Sequence, residues 1–218
     1  MFTGVVQEIG SVLATAPHGK GLRLSIKAPE TSQNLAQGDS IAVNGCCLTA
    51  VEVTATAFLC DVSHETLSGT NLQYSRPGAF VNLECAMKVG DKIGGHLLSG
   101  HVDCLVQVTE IKESSKSERS LSVRFPAPVR PYIVPKGSIA LNGVSLTIQD
   151  CTDETVRAII IPYTWENTSF KYVKTGDFLN LEGDQIAKDV FHQLKSILEA
   201  LRGSGGSMTL DKLKELGF

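Results

Sequence analysis

Two short runs of this chain hold the side chains best suited to chemistry. Cys47 lies in Asn44-Gly45-Cys46-Cys47-Leu48-Thr49, with Ser40 shortly before it, and His101 lies in Ser99-Gly100-His101-Val102-Asp103. A thiol is intrinsically nucleophilic, and an imidazole titrates near neutrality, so this pair suits proton transfer or nucleophilic addition. Each residue also has a plainer reading. A free cysteine is among the most often buried residues, a histidine beside a strand can be structural, Ser40 can cap a turn, and Thr49 sits where strand preference puts threonine. Cys46 and Cys47, as strand neighbours, point to opposite faces, which makes Cys46 the core residue. There is no Cys-x-x-Cys and no closely spaced Cys/His set, so a structural zinc site is not expected. The six cysteines read as reduced thiols in a chain too long and core-rich to need disulfide staples. His96 reads as a hinge or interface residue, and His18, His64 and His192 as surface or structural ones.

A duplication supplies the elements that must position these groups. SIAVNGCCLT at 40–49 returns as SIALNGVSLT at 138–147, seven of ten residues identical at an offset of 98. The same offset pairs Phe80-Val81-Asn82-Leu83-Glu84 with Phe178-Leu179-Asn180-Leu181-Glu182, Gly78 with Gly176, and Glu65-Thr66-Leu67 with Tyr163-Thr164-Trp165. With a two-residue slip, Thr3-Gly4-Val5-Val6 pairs with Ser99-Gly100-His101-Val102. A repeated turn-and-strand grammar accounts for one Asn-Gly pair but not for a register shared over several blocks. Cys47 thus corresponds to Ser145, a small polar group in both copies, while Cys46 corresponds to Val144 and His101 to Val5. Thr49 and Thr147 keep a hydroxyl in both.

Each copy reads as β structure. Leu22, Leu24 and Ile26 alternate with polar residues, as do Leu121, Val123 and Phe125, the period of half-buried strands. Asn44-Gly45 and Asn142-Gly143 sit between apolar runs as tight-turn signals. Many short strands punctuated by Gly, Pro and Asn predict closed antiparallel barrels, joined through the glycine-bearing stretch 90–95. The end is different. Ile186, Val190, Leu194, Ile197, Leu198 and Leu201 fall on one face of an amphipathic helix, with Asp184 at its N-cap. With no second helix to receive that stripe, self-association is the economical way to bury it. The expected organisation is 1–97 and 98–184 for the two barrels, 185–202 for the helix, and 203–218 for a glycine-serine linker and tail.

Composition sets outer limits. The 218 residues are 42% apolar, enough for a substantial core, and 20 Lys+Arg against 23 Asp+Glu leave a net charge of −3 with no basic run that would favour nucleic acid. No apolar stretch reaches membrane-span length, and the N-terminus lacks the features of a signal peptide. A cytoplasmic protein is expected.

The opening MFTGVVQ, NGCCLT at 44–49, GGHLLSGHVD at 94–103, NGVSLT at 142–147 and the Asp184 segment together resemble the riboflavin synthases, spanning the chain to about Arg202. Cys104, where such sequences commonly have Gly, and the tail beyond Arg202 depart from the pattern. The resemblance implies two six-stranded Greek-key barrels and a homotrimer with active sites between subunits, the first barrel of one chain facing the second barrel of another. It implies, as the last step of riboflavin biosynthesis, dismutation of two 6,7-dimethyl-8-ribityllumazine molecules by four-carbon transfer. The products are riboflavin and 5-amino-6-ribitylamino-uracil. The substrate's methyl protons are already acidic because the ring delocalises the anion, so no cofactor or metal is expected. Holding two rings in reactive orientation can itself supply about 7–11 kcal/mol.

By the same resemblance Cys47, His101 and Ser40 are the catalytic candidates. Ligand-lining residues are Gly4, Val5, Val6, Leu48, Thr49, Gly100, Val102, Ser145, Leu146 and Thr147, with glycines permitting close backbone approach to a flat ring. Two further segments, Asp61-Val62-Ser63-His64-Glu65-Thr66 and Ile159-Ile160-Ile161-Pro162-Tyr163-Thr164, face the ligand by resemblance alone. Lys136 is a candidate for the ribityl chain across the subunit boundary, and Asp184 for ribityl hydroxyls as well as the N-cap. A lumazine synthase is an implied associate. The competing reading is a non-catalytic lumazine or flavin carrier on the same fold, since fold alone does not fix function.

Overall fold

The computed structural model describes residues 1–113 and 118–203. The expected linker and tail lie outside them from residue 204 onward. Among the described residues, twelve strands form two closed barrels of six. The first comprises β1 (Glu8–His18), β2 (Gly21–Lys27), β3 (Ser40–Val43), β4 (Cys46–Val53), β5 (Ala57–Val62) and β6 (Phe80–Cys85). The second comprises β7 (Cys104–Glu113), β8 (Arg119–Arg124), β9 (Ser138–Leu141), β10 (Val144–Cys151), β11 (Thr155–Ile160) and β12 (Phe178–Gly183). Around the first barrel the order is β1-β2-β5-β4-β3-β6, and the second repeats it strand for strand. All pairings are antiparallel. β6 returns to lie beside β3, giving the spatial order β6-β3-β4-β5 of a Greek key.

Alternation decides what faces inward. On β3 and β4, Ile41, Val43, Cys46, Leu48 and Ala50 are buried in the core, while Ser40, Cys47 and Thr49 face outward. In the second barrel Ile139, Leu141, Val144, Leu146 and Ile148 take the interior places. Each β3–β4-type hairpin closes with Asn-Gly, Asn44 and Asn142 both at φ +47°. Two consecutive residues with positive φ form the tight turn whose twist matches that of the strands.

The same turns dock the barrels on each other. Asn82, on β6, donates Nδ2–H to the Asn142 carbonyl at 2.9 Å, and Asn180, on β12, donates to the Asn44 carbonyl at 2.8 Å. Their side-chain oxygens accept the Ser169 and Asn71 N–H groups respectively, each at 2.6 Å. Ala42 and Ala140 leave room between the barrels for Phe2 and Leu98, which pair as a short antiparallel bridge. A two-fold-like arrangement written twice in the sequence thus welds the repeats into one body.

After β12 the helix α3 (Gln185–Gly203) begins, with the Asp184 carboxylate accepting the Ile186 N–H at 2.8 Å. One face packs on the second barrel: Phe191 meets Tyr132 edge-on, and Lys188 pairs with Asp103 at 3.0 Å. The other face leaves Ile186, Val190, Leu194 and Leu198 exposed. Among the described residues, no helix is long and apolar enough to cross a membrane.

Candidate active site

Cys47 Cα pairs with Ala42 and Thr49 with Ser40, so Cys47, Thr49 and Ser40 share the outer face of the β3–β4 hairpin. What covers this face arrives from the second repeat. The Gly100 carbonyl accepts the Cys47 N–H at 2.8 Å, and a Cβ on Gly100 would stand 2.6 Å from Cys47 Cβ. Only glycine, here at φ +81°, lets the chain lie that close. His101 follows directly and is exposed, its N–H donating to Ser99 Oγ at 3.1 Å. Cys47 is half-buried. Its neighbour Cys46 is shut in the core, and burial pushes that thiol up to about 12, leaving no reactive thiolate there.

The second barrel carries the reciprocal face. The Gly4 carbonyl accepts the Ser145 N–H at 2.9 Å, and Gly4, Val5 and Val6 border a cavity of about 380 Å³. Ser138, Ser145, Leu146, Thr147, Tyr163 and Thr164 also line it. The segments flanking Gly4 and Gly100 are therefore exchanged: residues 3–6 of the first repeat serve the second barrel's face, and residues 99–102 serve the first's.

His96, expected as a hinge or interface residue, is buried where the repeats meet, its backbone N–H donating to the Thr3 carbonyl at 3.1 Å and its Nδ1 2.7 Å from Ser145 Oγ at this second face. Burial lowers its pKa, against an opposing push from Asp184, so the ring is held neutral. Its Nε2 is buried without a hydrogen-bond partner among the described residues.

The remaining expected residues divide. Ser63 caps the short helix α1 (His64–Gly69) by accepting the Thr66 N–H at 3.1 Å, with His64 and Glu65 exposed in its first turn. Ile161 and Pro162 open α2 (Pro162–Glu166), which carries Tyr163 and Thr164 to the cavity. Leu48, Val62, Leu146 and Ile160 send their side chains into the cores, and Ile159 is half-buried on β11. Asp61 binds Arg23 through both carboxylate oxygens, at 2.6 and 2.8 Å, which holds it below the usual carboxylate range. Val102 packs against the first core. Lys136, at φ +65° in the turn before β9, donates Nζ–H to Gln149 at 3.3 Å and does not line the cavity.

Sequence reasoning passed over Glu84 and Glu182. Both are buried, and each accepts N–H and O–H donors from the exchanged segments. Their signal was present: both lie in the repeated FVNLE and FLNLE blocks, where a charged residue recurs at the end of an apolar strand.

Two similar barrels, each presenting one small polar side chain beneath a glycine from the opposite repeat, define a duplicated-barrel protein with two equivalent candidate ligand faces. The lumazine binding domain family matches twice, over residues 3–86 and 99–184. Riboflavin synthase of Actinobacillus pleuropneumoniae is 36% identical over 218 residues, covering all of both chains. That of Bacillus subtilis is 38% identical, also with complete coverage, and that of Mycobacterium bovis 40% identical over 90% of this chain and 99% of its own. The chain belongs to the riboflavin synthase family. Among solved structures, LumP complexed with 6,7-dimethyl-8-(1'-D-ribityl) lumazine superposes with TM-score 0.76 at 23% identity, and LumP complexed with riboflavin with 0.78 at 24%. Each covers 84% of this chain and 99% of its own, a likeness of fold.

Proposed function

We propose that this enzyme dismutates two molecules of 6,7-dimethyl-8-ribityllumazine, transferring four carbons from one to the other to give riboflavin and 5-amino-6-ribitylamino-uracil. The observation that carries this reading is the pair of equivalent faces with unequal chemistry. A reaction between two copies of one substrate needs two similar ring sites, and it needs them to treat their rings differently. Cys47 with Ser40 and His101 nearby offers one environment; Ser145 against a neutral His96 offers the other.

In this reading each ring lies on the outer face of a β-hairpin, its edge met by backbone groups of the exchanged segment. His101, exposed beside the Cys47 face, is the mobile proton carrier, and Cys47 and Ser40 are the polar groups closest to the ring. At the second face, His96 can take or return a proton through the Ser145 hydroxyl. Thr49 and Thr147 occupy corresponding exposed positions, suited to ring or ribityl oxygens. The two faces belong to opposite barrels, so one chain cannot stack its own two rings if they lie apart on its surface. A homotrimer pairing the first barrel of one chain with the second barrel of the next supplies the juxtaposition. The exposed Ile186–Val190–Leu194–Leu198 stripe supports it, because an apolar row on a surface helix is stabilised by burial against copies of itself. Across such a boundary Lys136 and Asp184 are the residues we propose to meet the ribityl chain. The enzyme works in the cytoplasm, and the partner the reaction calls for is a lumazine synthase that supplies the ring.

Incubation of the purified protein with 6,7-dimethyl-8-ribityllumazine alone tests the reading. Riboflavin and the ribitylamino-pyrimidine should appear in equal amounts. Tight binding of the lumazine with no riboflavin formed would make the protein a carrier instead.

A further inference from the structure

Glu84 and Glu182 are buried carboxylates whose strand positions pair with Ala42 and Ala140, the residues opposite Cys47 and Ser145, and each is tied to the chain segment that covers the other barrel's face. Glu84 Oε1 accepts the Thr3 N–H at 2.7 Å and the Thr3 hydroxyl at 2.9 Å, and Oε2 accepts the Gly4 N–H at 3.0 Å. Glu182 repeats the pattern with Ser99 N–H at 2.8 Å, Ser99 hydroxyl at 2.7 Å and Gly100 N–H at 3.1 Å. The far side of each anchored segment meets the opposite barrel: Gly4 O binds Ser145 N–H, and Gly100 O binds Cys47 N–H. Glu84 belongs to the first barrel but its segment lies on the second barrel's face, and Glu182 the reverse. From Glu182 a relay also runs through Ser99 Oγ to the His101 N–H.

We propose that Glu84 and Glu182 are crossed positioning residues, each barrel's carboxylate setting the segment that covers the other barrel's ligand face. Glu182 holds Gly100 and His101 against Cys47; Glu84 holds Gly4 and Val5 against Ser145. The proposal rests on reading those faces as the pteridine sites. The chemistry explains why the residue is glutamate. Every partner of each carboxylate is a donor, and only a group with acceptors on both arms satisfies N–H and O–H donors on both. Charge-assisted bonds to backbone N–H groups are also the stronger kind, which fixes a segment that otherwise has few bonds of its own. Glutamine keeps the volume but turns one NH2 toward an N–H donor, breaking one arm of the clamp. A charge that merely held the fold together would disturb both faces alike; a crossed positioning residue disturbs the opposite barrel's face.

Peptide-resolved alkylation of the full-length protein reads this without depending on turnover. The probes are Cys47 in the natural sequence and a thiol placed by Ser145→Cys at the matching position. Glu182→Gln should raise alkylation of Cys47 by about fivefold, the opening expected from loss of one hydrogen bond, while the thiol at 145 changes by less than about twofold. Glu84→Gln should do the reverse. Glu→Asp at either position keeps two acceptor oxygens on a shorter arm and should give the same crossed pattern, weaker, if the Gln variants do not fold. Equal changes at both thiols, changes confined to the glutamate's own barrel, or no change at either would overturn the proposal. Repeating the labelling with 6,7-dimethyl-8-ribityllumazine separates the two questions. Failure of the ligand to protect Cys47 or the thiol at 145 counts against the site reading, whereas the crossed pattern without ligand counts only for or against the glutamates.

Discussion

Gly100→Ala perturbs the closest contact between the repeats at the Cys47 face, and its cost can be set against an internal control. Gly100 has φ +81°, and Gly78 has φ +87°. Alanine in that left-handed region costs about 1–2 kcal/mol at either position. Around Gly78 a new Cβ meets nothing within 4 Å among the described residues, whereas at Gly100 it would stand 2.6 Å from Cys47 Cβ and 2.9 Å from Phe2 Cε2. Overpacking adds about 1–3 kcal/mol. Gly78→Ala should therefore lose about 1–2 kcal/mol and Gly100→Ala about 2–5 kcal/mol; at about 2–4 °C per kcal/mol for a chain of this size, the second loss is roughly 4–20 °C in Tm. The displaced segment carries His101 away from Cys47, so kcat should fall in Gly100→Ala and stay unchanged in Gly78→Ala. Thermal unfolding and steady-state riboflavin formation on both variants provide the comparison. Equal Tm losses with wild-type turnover in both would refute the claim that residues 99–102 form part of the first barrel's site.

Four further outcomes follow from the geometry. Cys47→Ala and His101→Gln should lower kcat more than they weaken lumazine binding, by up to about 10²–10⁴-fold if the groups move protons; Cys47→Ser, mimicking Ser145, should preserve Tm so that lost rate reports on the sulfur. Asn82→Ala strands the Ser169 N–H and the Asn142 carbonyl between the barrels and should cost about 2–6 kcal/mol, at about 1–3 kcal/mol for each unsatisfied group, seen in urea midpoints. His96 has a folded pKa below its unfolded value near 6.5, so the unfolded chain binds the proton more readily and stability is lost as pH falls through 6.5 towards the depressed pKa. The wild-type minus His96→Gln stability difference should shrink over that window, and a difference independent of pH would contradict a buried neutral imidazole. The burial-raised Glu84 and Glu182 act in the opposite sense, losing stability as pH rises from about 4.5 through their raised pKa values, and cancel in that difference. Truncation after Asp184 removes the exposed apolar stripe and should lower the mass in solution and the activity together; an active monomer would contradict assembly through α3.

Much of the fold was legible because the sequence states it twice. The alternation at Leu24–Ile26 and Leu121–Val123 named inward faces, the Asn-Gly pairs named hairpins, and the shared register implied two like barrels. What was not legible was the traffic between repeats. Nothing in the local pattern of Thr3-Gly4-Val5-Val6 says that it lies on the second barrel, because the exchange is a consequence of how the barrels dock. Asn82 and Asn180 look like ordinary polar strand residues until their side chains are seen to bond the opposite repeat. His96 shows the same limit. Its partner Ser145 lies 49 residues away, and no spacing rule joins them. Leu48, Val62, Leu146 and Ile160 show how strand neighbours share an expected ligand-facing segment but not a face: their side chains are buried in the cores, while Leu146 also borders the cavity of the second face. Asp61 likewise stood in such a segment, and its carboxylate is engaged by Arg23 across the β2–β5 pair.

The central claim is that each barrel holds one ring and that reactive pairs form between chains. Co-refolding a first-barrel variant, Cys47→Ala, with a second-barrel variant, Ser145→Ala, tests it most directly once each alone has been shown to be impaired. In mixed homotrimers roughly a quarter of the inter-chain sites would combine an intact first barrel with an intact second barrel from the neighbour, so riboflavin formation should rise above that of either variant alone. Activity that stays at the level of the two parents, with mixed trimers verified by mass, would place both rings on one chain and contradict the account.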